Sequence, residues 1–341
     1  MNNERNHRLL WQIPFLILLI VGTIVIIRQQ QNTPYQKCTG TIFGTIYNIT
    51  YQYDKDIQQE LVAKMQEVDS ALSMFNEKSI ISRINNNEAV KPNDMFLSVF
   101  NLAMKISADT DGAFDITVAP LVNLWGFGFK NGQDPTQHAV DSLLSVIGYK
   151  KVSYDGQHII KADPRVMLDC SAIAKGYGVD VVAQALNEKG ITNYLVEIGG
   201  EIATRGVSEK RVPWKIGVTK PSEDPLATGS GELQTVLNVT DKCMATSGNY
   251  RNFYYKGGRR YAHTIDPKTG KPVQHNILSA TVLGDQCAKV DAYATSFMVM
   301  GLDGTKKVLE RNPDLMVYLI YDDKGETKTW YSPSLRDKIE K

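Results

Sequence analysis

The chain has 341 residues and carries 38 Lys or Arg against 37 Asp or Glu, which gives a formal net charge of +1. Because there is neither an excess of positive charge nor a basic block interleaved with aromatic residues, no nucleic-acid partner is expected. The length and the 43% of hydrophobic residues predict a globular protein of one large domain or two. The four cysteines form no Cys-x-x-Cys pair, so the sequence predicts no zinc site.

The amino-terminal segment differs from the rest of the chain in composition. An uncharged run, residues 9–27, lies between Arg8 and Arg28. A helix of this length spans about 28 Å, which is close to the thickness of a bilayer core. No small-x-small cleavage site follows, so an uncleaved anchor is preferred to a cleaved signal peptide. The predicted organisation is a cytoplasmic tail (1–8), a transmembrane anchor or uncleaved signal (9–27), a linker (28–38) and a globular domain (39–335).

The anchor predicts a single-pass protein of the cytoplasmic (inner) membrane. Arg5 and Arg8 precede the apolar run and Arg28 and Lys37 follow it, so charge gives only a weak indication of orientation. A short amino-terminal tail followed by one large domain favours a domain on the outer, periplasmic side.

The first half of the globular domain shows both helical and strand periodicity. Alternation of apolar and polar residues predicts a strand over 41–53. Helical spacing predicts three helices, and Asp94 is expected to cap the second of them. A hairpin over 152–162 is predicted to turn at Asp155-Gly156. The predicted helices lie at 58–72, 94–110 and 136–146.

The second half contains strands without strict alternation with helices. After a helix that begins near Ile173, strands are predicted at 193–198, 214–218, 233–239, 242–245, 278–282 and 315–321, with one helix at 289–300. This order indicates an α+β fold of mixed sheets with flanking helices rather than a doubly wound sheet.

Residues 166–180 predict a strand, a tight turn and the start of a helix. Such a helix start presents free backbone N–H groups, which suit an anion and above all a phosphate. Lys175 in the first turn would add a point charge, and Asp169 could accept hydrogen bonds from a ligand. The alternative is an ordinary strand-to-helix connection with a surface lysine.

Glycine and aromatic residues crowd together between Gly112 and Gly128, on a predicted loop. Loops of this composition can close over a flat ligand, because glycine allows close approach and the rings offer a stacking surface. The alternative is a buried aromatic corner of the core.

Two stretches near the carboxyl terminus carry further candidate groups. His263 precedes a turn-forming run, and it is either a base or a hydrogen-bonded structural residue. Asp291 and Thr295 lie four residues apart and therefore on one face of a helix. Carboxylate and hydroxyl oxygens suit Mg²⁺, whereas the alternative for Asp291 is a favourable position near the positive end of the helix dipole.

Six motifs, taken together and in this order, resemble the ApbE family of FAD:protein FMN transferases and its FAD-pyrophosphatase relatives. The resemblance extends from about residue 40 to residue 321. The motifs are 112–115 (GAFD), 168–177 (LDCSAIAKGY), 197–200 (EIGG), 246–251 (TSGNYR), 263–270 (HTIDPKTG) and 291–295 (DAYAT).

The resemblance implies Mg²⁺-dependent transfer of FMN from FAD to a Thr or Ser hydroxyl of a target protein. It implies His263 as the catalytic base, and a metal site formed by the Ala172 carbonyl, Asp291 and Thr295. The acceptor is expected to be a membrane redox protein. The FAD contacts implied by the resemblance are Phe43, Phe75, Ala113, Phe114, Asp115, Asp169, Lys175, Ser247 and Ile265.

Two residues depart from the family pattern. Phe43 stands where the family often has methionine. Cys170 stands in place of an aliphatic residue and is interpreted as a small apolar substitute. The alternatives to the transferase are an FAD pyrophosphatase, with water replacing the acceptor hydroxyl, and a non-catalytic FAD-binding protein. An acceptor peptide containing threonine would distinguish the first alternative, since only a transferase yields a flavinylated product.

Overall fold

A computed structural model describes residues 12–24, 33–127, 135–221, 232–249, 253–256, 259–273 and 276–340. The strands in chain order are β1 (Tyr35–Ile42), β2 (Thr45–Gln52), β3 (Val152–Tyr154), β4 (Ile159–Lys161), β5 (Tyr194–Ile198), β6 (Glu201–Arg205), β7 (Lys215–Thr219), β8 (Leu233–Asn238), β9 (Cys243–Gly248), β10 (Phe253–Lys256), β11 (Arg259–Ala262), β12 (Ile265–Asp266), β13 (Lys271–Pro272), β14 (Ile277–Gly284), β15 (Met316–Asp323) and β16 (Glu326–Tyr331). The helices are α1 (residues 12–24), α2 (Gln58–Leu72), α3 (Ile80–Asn85), α4 (Asp94–Asp109), α5 (Ala119–Leu124), α6 (Gln137–Leu144), α7 (Ala174–Glu188) and α8 (Cys287–Arg311).

Eight antiparallel strands form the central sheet, in the order β1-β2-β5-β6-β9-β14-β15-β16. Side chains of β15 alternate between its two faces, as the pleat requires. Val317 and Leu319 belong to a core shared with α2, α4, α7 and α8, whereas Tyr318 and Ile320 belong to a second core on the opposite face. The hairpin of β7 and β8 supplies Val218 and Leu237 to that second core. The prediction of an α+β fold is confirmed.

The apolar residues whose spacing predicted a helix do face the core. The predicted helix at 58–72 matches α2, and its Leu61, Met65 and Val68 are buried. The cap of α4 differs from the prediction, because the side chain of Asn93, not of Asp94, accepts the N–H of Phe96 at 2.9 Å. Asp94 instead lies in the first turn, where its charge is favourable.

Two strand predictions need correction. The range 41–53, predicted as a single strand, contains the end of β1, a turn at Phe43-Gly44, where φ is 52° and 71°, and the whole of β2. Positive φ at both positions is typical of a two-residue hairpin turn. Residues 166–170 are not a strand, although a helix does begin close to the predicted position.

The helix α1 exposes large apolar side chains, with Phe15 65% and Leu18 70% exposed. Within the described ranges, no helix is both long and apolar enough to cross a membrane. The ends of the predicted anchor, residues 9–11 and 25–27, lie outside those ranges.

Candidate functional site

One cavity of about 400 Å³ brings together nearly all of the predicted site residues. Its walls come from the segments after α2 and α4, the amino-terminal end of α7, the strand β9, the segment after β11 and the helix α8. The predicted residues that line it are Phe75, Ala113, Phe114, Asp115, Asp169, Ala172, Lys175, Ser247, His263, Ile265, Asp291 and Thr295.

The carboxylate of Asp291 is held by the close approach of α7 and α8. Its Oδ2 accepts a hydrogen bond of 3.0 Å from the backbone N–H of Gly176, and the side chain is 3% exposed. A Cβ on Gly176 would lie 2.5 Å from the carbonyl oxygen of Cys287. The two helices can therefore reach this distance only with glycine at position 176.

Thr295 lies one helical turn after Asp291, and its Oγ1 is 3.1 Å from Oγ of Ser247. This contact joins α8 to the end of β9. Asp291, Thr295 and Ala172 all line the cavity. Among the described residues, there is no group of three or more His, Cys, Asp or Glu side chains that could hold a metal ion.

Mg²⁺ does not require such a cluster, because it binds hard oxygen atoms and usually keeps several water ligands. One carboxylate, one hydroxyl and one main-chain carbonyl, on three residues that line the same cavity, match that requirement. The residues present therefore fit a magnesium ion.

Lys175 lines the cavity and forms an ion pair with a buried carboxylate. Its Nζ lies 2.7 Å from Oε1 of Glu201, which is 4% exposed. Burial alone would lower the pKa of Lys175, but the charges of Asp291 and Glu201 outweigh burial and hold the pKa above its ordinary value. Lys175 is consequently charged at neutral pH and suits an anionic ligand.

Asp115 fixes the loop that carries the aromatic residues. Its Oδ1 accepts hydrogen bonds from the backbone N–H and the hydroxyl of Thr117, at 2.8 and 2.6 Å, and its Oδ2 accepts the N–H of Tyr149 at 2.7 Å. Burial raises the pKa of Asp115 above its ordinary value. Its carboxylate is thus occupied in positioning the cavity wall.

Asp169 joins this loop to the segment that precedes α7. Its backbone N–H donates to the carbonyl oxygen of Ile116 at 2.6 Å, and its Oδ1 accepts the N–H of Ser171 at 2.7 Å. The segment 166–170 is therefore held by the loop instead of by a neighbouring strand.

His263 lies between β11 and β12, with its ring edge-on to Phe127 at a centroid distance of 6.4 Å. The next residue, Thr264, donates its hydroxyl proton to Oδ1 of Asn249 at 2.6 Å. Trp125 Nε1 donates to the carbonyl oxygen of Gly270 at 2.7 Å, which attaches the aromatic loop to the turn that follows His263. The loop is in part a buried aromatic corner, since Trp125 and Phe114 belong to the core, and Phe114 and Phe127 also line the cavity.

The sequence matches the family model described as the ApbE family over residues 43–319. The chain is 37% identical over 314 residues to the FAD:protein FMN transferase of Vibrio cholerae, covering 89% of this chain and 92% of the relative. It is 32% identical over 310 residues to the FAD:protein FMN transferase of Escherichia coli K12, covering 88% and 87%. The chain belongs to the ApbE family.

Solved structures of other members share the fold. The flavin transferase ApbE from Vibrio cholerae superposes with a TM-score of 0.81 at 36% identity, covering 89% of this chain and 99% of that one. The apo form of the Pseudomonas stutzeri flavinyl transferase ApbE superposes with a TM-score of 0.80 at 29% identity, covering 90% and 97%.

Three residues that the sequence analysis compared with the ApbE family pattern have distinct surroundings here. Phe75 lines the cavity and is 72% exposed, so it lies at the rim. Phe43 does not line the cavity; its ring lies against Gly178 of α7 instead. Cys170 is buried, and burial raises the pKa of its thiol far above the ordinary value, which agrees with an apolar substitute.

Glu201 was not predicted, although it follows the ApbE motif at 197–200 directly. The turn Gly199-Gly200, with φ of 63° and 102°, connects β5 to β6 and places Glu201 at the first position of β6. The sequence signal that could have identified Glu201 as a site residue is a charge directly before the apolar pair Ile202-Ala203. Burial, together with the neighbouring charge of Asp291, raises the pKa of Glu201 to about 7.

Proposed function

We propose that this protein transfers FMN from FAD to a Thr or Ser hydroxyl of an acceptor protein and releases AMP, in a reaction that depends on Mg²⁺. One observation carries the proposal. A single cavity contains oxygen donors suited to a divalent cation, a charged lysine and an imidazole, on Asp291 and Thr295, Lys175 and His263 respectively.

The reaction requires an aligned hydroxyl and neutralised phosphate charge. The acceptor oxygen attacks the phosphorus of the FMN half of FAD, and the bond from that phosphorus to the AMP oxygen breaks. His263 accepts the hydroxyl proton, and AMP leaves with the bridging oxygen. Lys175 is placed to bind the pyrophosphate, and its charge is already fixed in position before the substrate enters.

The metal ion would be held by Asp291, Thr295 and the Ala172 carbonyl. When bound, Mg²⁺ supplies electrostatic stabilisation of the phosphate oxygens. The Gly176 N–H and the Ser247 hydroxyl hold Asp291 and Thr295 in place, which reduces the reorganisation needed for binding.

The remaining wall of the cavity suits a flat aromatic ligand. Phe75, Phe114 and Phe127 line it, and Ile265 adds an aliphatic surface. A volume of about 400 Å³ lies within the usual range for small-molecule sites. We place the flavin against these rings and the pyrophosphate toward Lys175.

The acceptor is proposed to be a redox protein at the outer face of the cytoplasmic membrane. Support comes from the uncharged run at 9–27 and from the exposed apolar side chains of α1, which favour an anchor beside such a partner.

The test is incubation of the full-length chain, purified in detergent, with FAD, Mg²⁺ and a candidate acceptor domain that contains threonine. AMP release is measured by chromatography and covalent flavin by in-gel fluorescence. The proposal predicts AMP together with a fluorescent acceptor band, and the loss of both on addition of a chelator.

Two other outcomes would contradict this proposal. AMP with free FMN, and no band for any of several threonine-containing acceptors, would indicate hydrolysis by water. FAD that stays bound and intact with Mg²⁺ would indicate a flavin-binding protein without turnover.

A further inference from the structure

One carboxylate oxygen in the cavity has no partner within the described part of the chain. Glu201 Oε1 is paired with Lys175, whereas Glu201 Oε2 is buried and makes no hydrogen bond there. The residue is 4% exposed and lines the cavity beside Asp291 and Lys175. Leaving a buried charged acceptor unsatisfied is costly, so the position calls for a ligand.

The surrounding backbone holds Glu201 firmly in this position. The glycine turn before it fixes the start of β6, where Glu201 pairs with Ile198 across the hairpin. Gly199 also lies against the stem of Lys175, since a Cβ there would be 3.2 Å from the lysine Cδ. The backbone of Glu201 is therefore fixed beside Lys175.

The charges around Glu201 select the kind of ligand. Lys175 satisfies Oε1, and Asp291, whose charge raises the pKa of Glu201, lines the same cavity. An anionic phosphate oxygen would be repelled by both carboxylates. A hydrated divalent cation between them would be attracted by both, and its water ligands are hydrogen-bond donors.

We propose that Glu201 belongs to the divalent-cation site, with Oε2 accepting a hydrogen bond from a water ligand of the ion. The inference rests on the magnesium site of the proposed function and adds a residue to it. Glu201 is a positioning residue in this assignment, because it acts through the metal-bound water and through Lys175. Groups of this kind commonly change metal affinity by about 10- to 100-fold when they are removed.

The test measures Mn²⁺ binding to the full-length protein without FAD, by electron paramagnetic resonance of the free ion. Mn²⁺ serves as the probe because it shares the preference of Mg²⁺ for oxygen ligands. Glu201→Gln keeps the size of the side chain and removes its charge. The matched control is Glu197→Gln in the same hairpin, where the side chain accepts a hydrogen bond from Asn48 and does not line the cavity.

We expect Glu201→Gln to raise the Kd for Mn²⁺ about 10- to 100-fold, and Glu197→Gln to leave it unchanged. Wild-type affinity in Glu201→Gln, with binding lost in Asp291→Asn, would overturn the role of Glu201 and leave the metal site intact. Absence of binding to the wild type would instead remove the proposed metal site.

A second measurement separates a metal role from a purely structural one. The melting temperature of Glu201→Gln without metal is expected to stay close to that of the wild type, while the increase on adding Mn²⁺ is lost. If both proteins gain the same stability from Mn²⁺, the proposal is wrong.

Discussion

The backbone N–H of Gly176 donates a 3.0 Å hydrogen bond to Oδ2 of Asp291 and so joins the start of α7 to the start of α8. The contact exists because the two helices approach more closely than a side chain would allow, as the 2.5 Å separation between a Cβ on Gly176 and the Cys287 oxygen indicates. The position of the carboxylate on which the proposed metal site depends is therefore determined by helix packing.

Gly176→Ala should weaken the metal site. The added methyl group would meet backbone atoms of Cys287, so α8 must move, at a cost of about 1–3 kcal/mol of folding stability. We expect the Kd for Mn²⁺ to rise at least about tenfold, as for loss of other supporting contacts. Gly178→Ala is the matched control, because a Cβ there would meet ring atoms of Phe43, which can move. Equal metal affinity in the two variants would contradict this account.

His263→Ala should remove the base that accepts the proton of the acceptor hydroxyl, while FAD still binds. Loss of a general base typically lowers the rate about 10²- to 10⁴-fold, and we expect kcat for flavin transfer to fall by that factor. The Kd for FAD, measured by flavin fluorescence, should change little. His138→Ala on α6 is the control, since His138 is exposed and does not line the cavity. A transfer rate in His263→Ala equal to that of the control would rule out the base.

Lys175→Met should change affinity for cation and anion in opposite directions. Without the lysine charge, Asp291 and Glu201 attract a divalent cation more strongly, so Mn²⁺ should bind several-fold more tightly. The pyrophosphate loses its positive partner, so the Kd for FAD should rise about tenfold or more. Lys189→Met, at the other end of the same helix, removes a surface ion pair with Glu60 and serves as the control. Parallel changes in both affinities would contradict the assignment.

Asp180 should give the stability of the protein a specific pH dependence. Its Oδ1 and Oδ2 accept the N–H groups of Cys287 and Ala288 at 2.7 and 2.8 Å, yet burial raises its pKa to about 6. The carboxyl group of Asp180 thus binds a proton more tightly in the folded state than in the unfolded chain, where the pKa of Asp is about 3.9. The stabilising contribution is present below about pH 4 and is lost as the pH rises through 6.

Asp180→Asn cannot titrate, so its stability relative to the wild type should change across this range. Each pH unit between the two pKa values corresponds to about 1.4 kcal/mol, which gives up to about 3 kcal/mol in favour of the variant. Urea unfolding of both proteins at pH 4.5, 6 and 7.5 would measure the difference. A difference that does not vary with pH would show that Asp180 is ionised at an ordinary pKa.

Apolar periodicity predicted most of the elements that face the core but missed the buried central strand β6. Turn residues predicted the hairpin of β3 and β4. Apolar periodicity also failed at β1 and β16, because both are edge strands of the central sheet and β16 is largely exposed. Their polar sequences acquire strand structure through hydrogen bonds to β2 and β15, which no local pattern reveals. Asn93 and Asp94 are both good caps, and only the backbone geometry distinguishes them.

The candidate site was largely predictable because each of its motifs carries several residues of distinctive chemistry. Glu201 was not predictable in this way, because its partner Lys175 is distant in sequence. The two residues meet only when β6 packs against α7. Phe43 was assigned to the flavin from its motif position, and the structure places its ring against Gly178. Neighbours of this kind follow from packing and not from sequence spacing.

The most direct test of the central claim is the intact mass of an acceptor domain after incubation with this protein, FAD and Mg²⁺. Covalent transfer predicts a mass increase of one FMN less one water, located by fragmentation on a Thr or Ser, and no increase with His263→Ala or Asp291→Asn. An unmodified acceptor, in a reaction where FAD is nevertheless converted to AMP and free FMN, would contradict protein flavinylation.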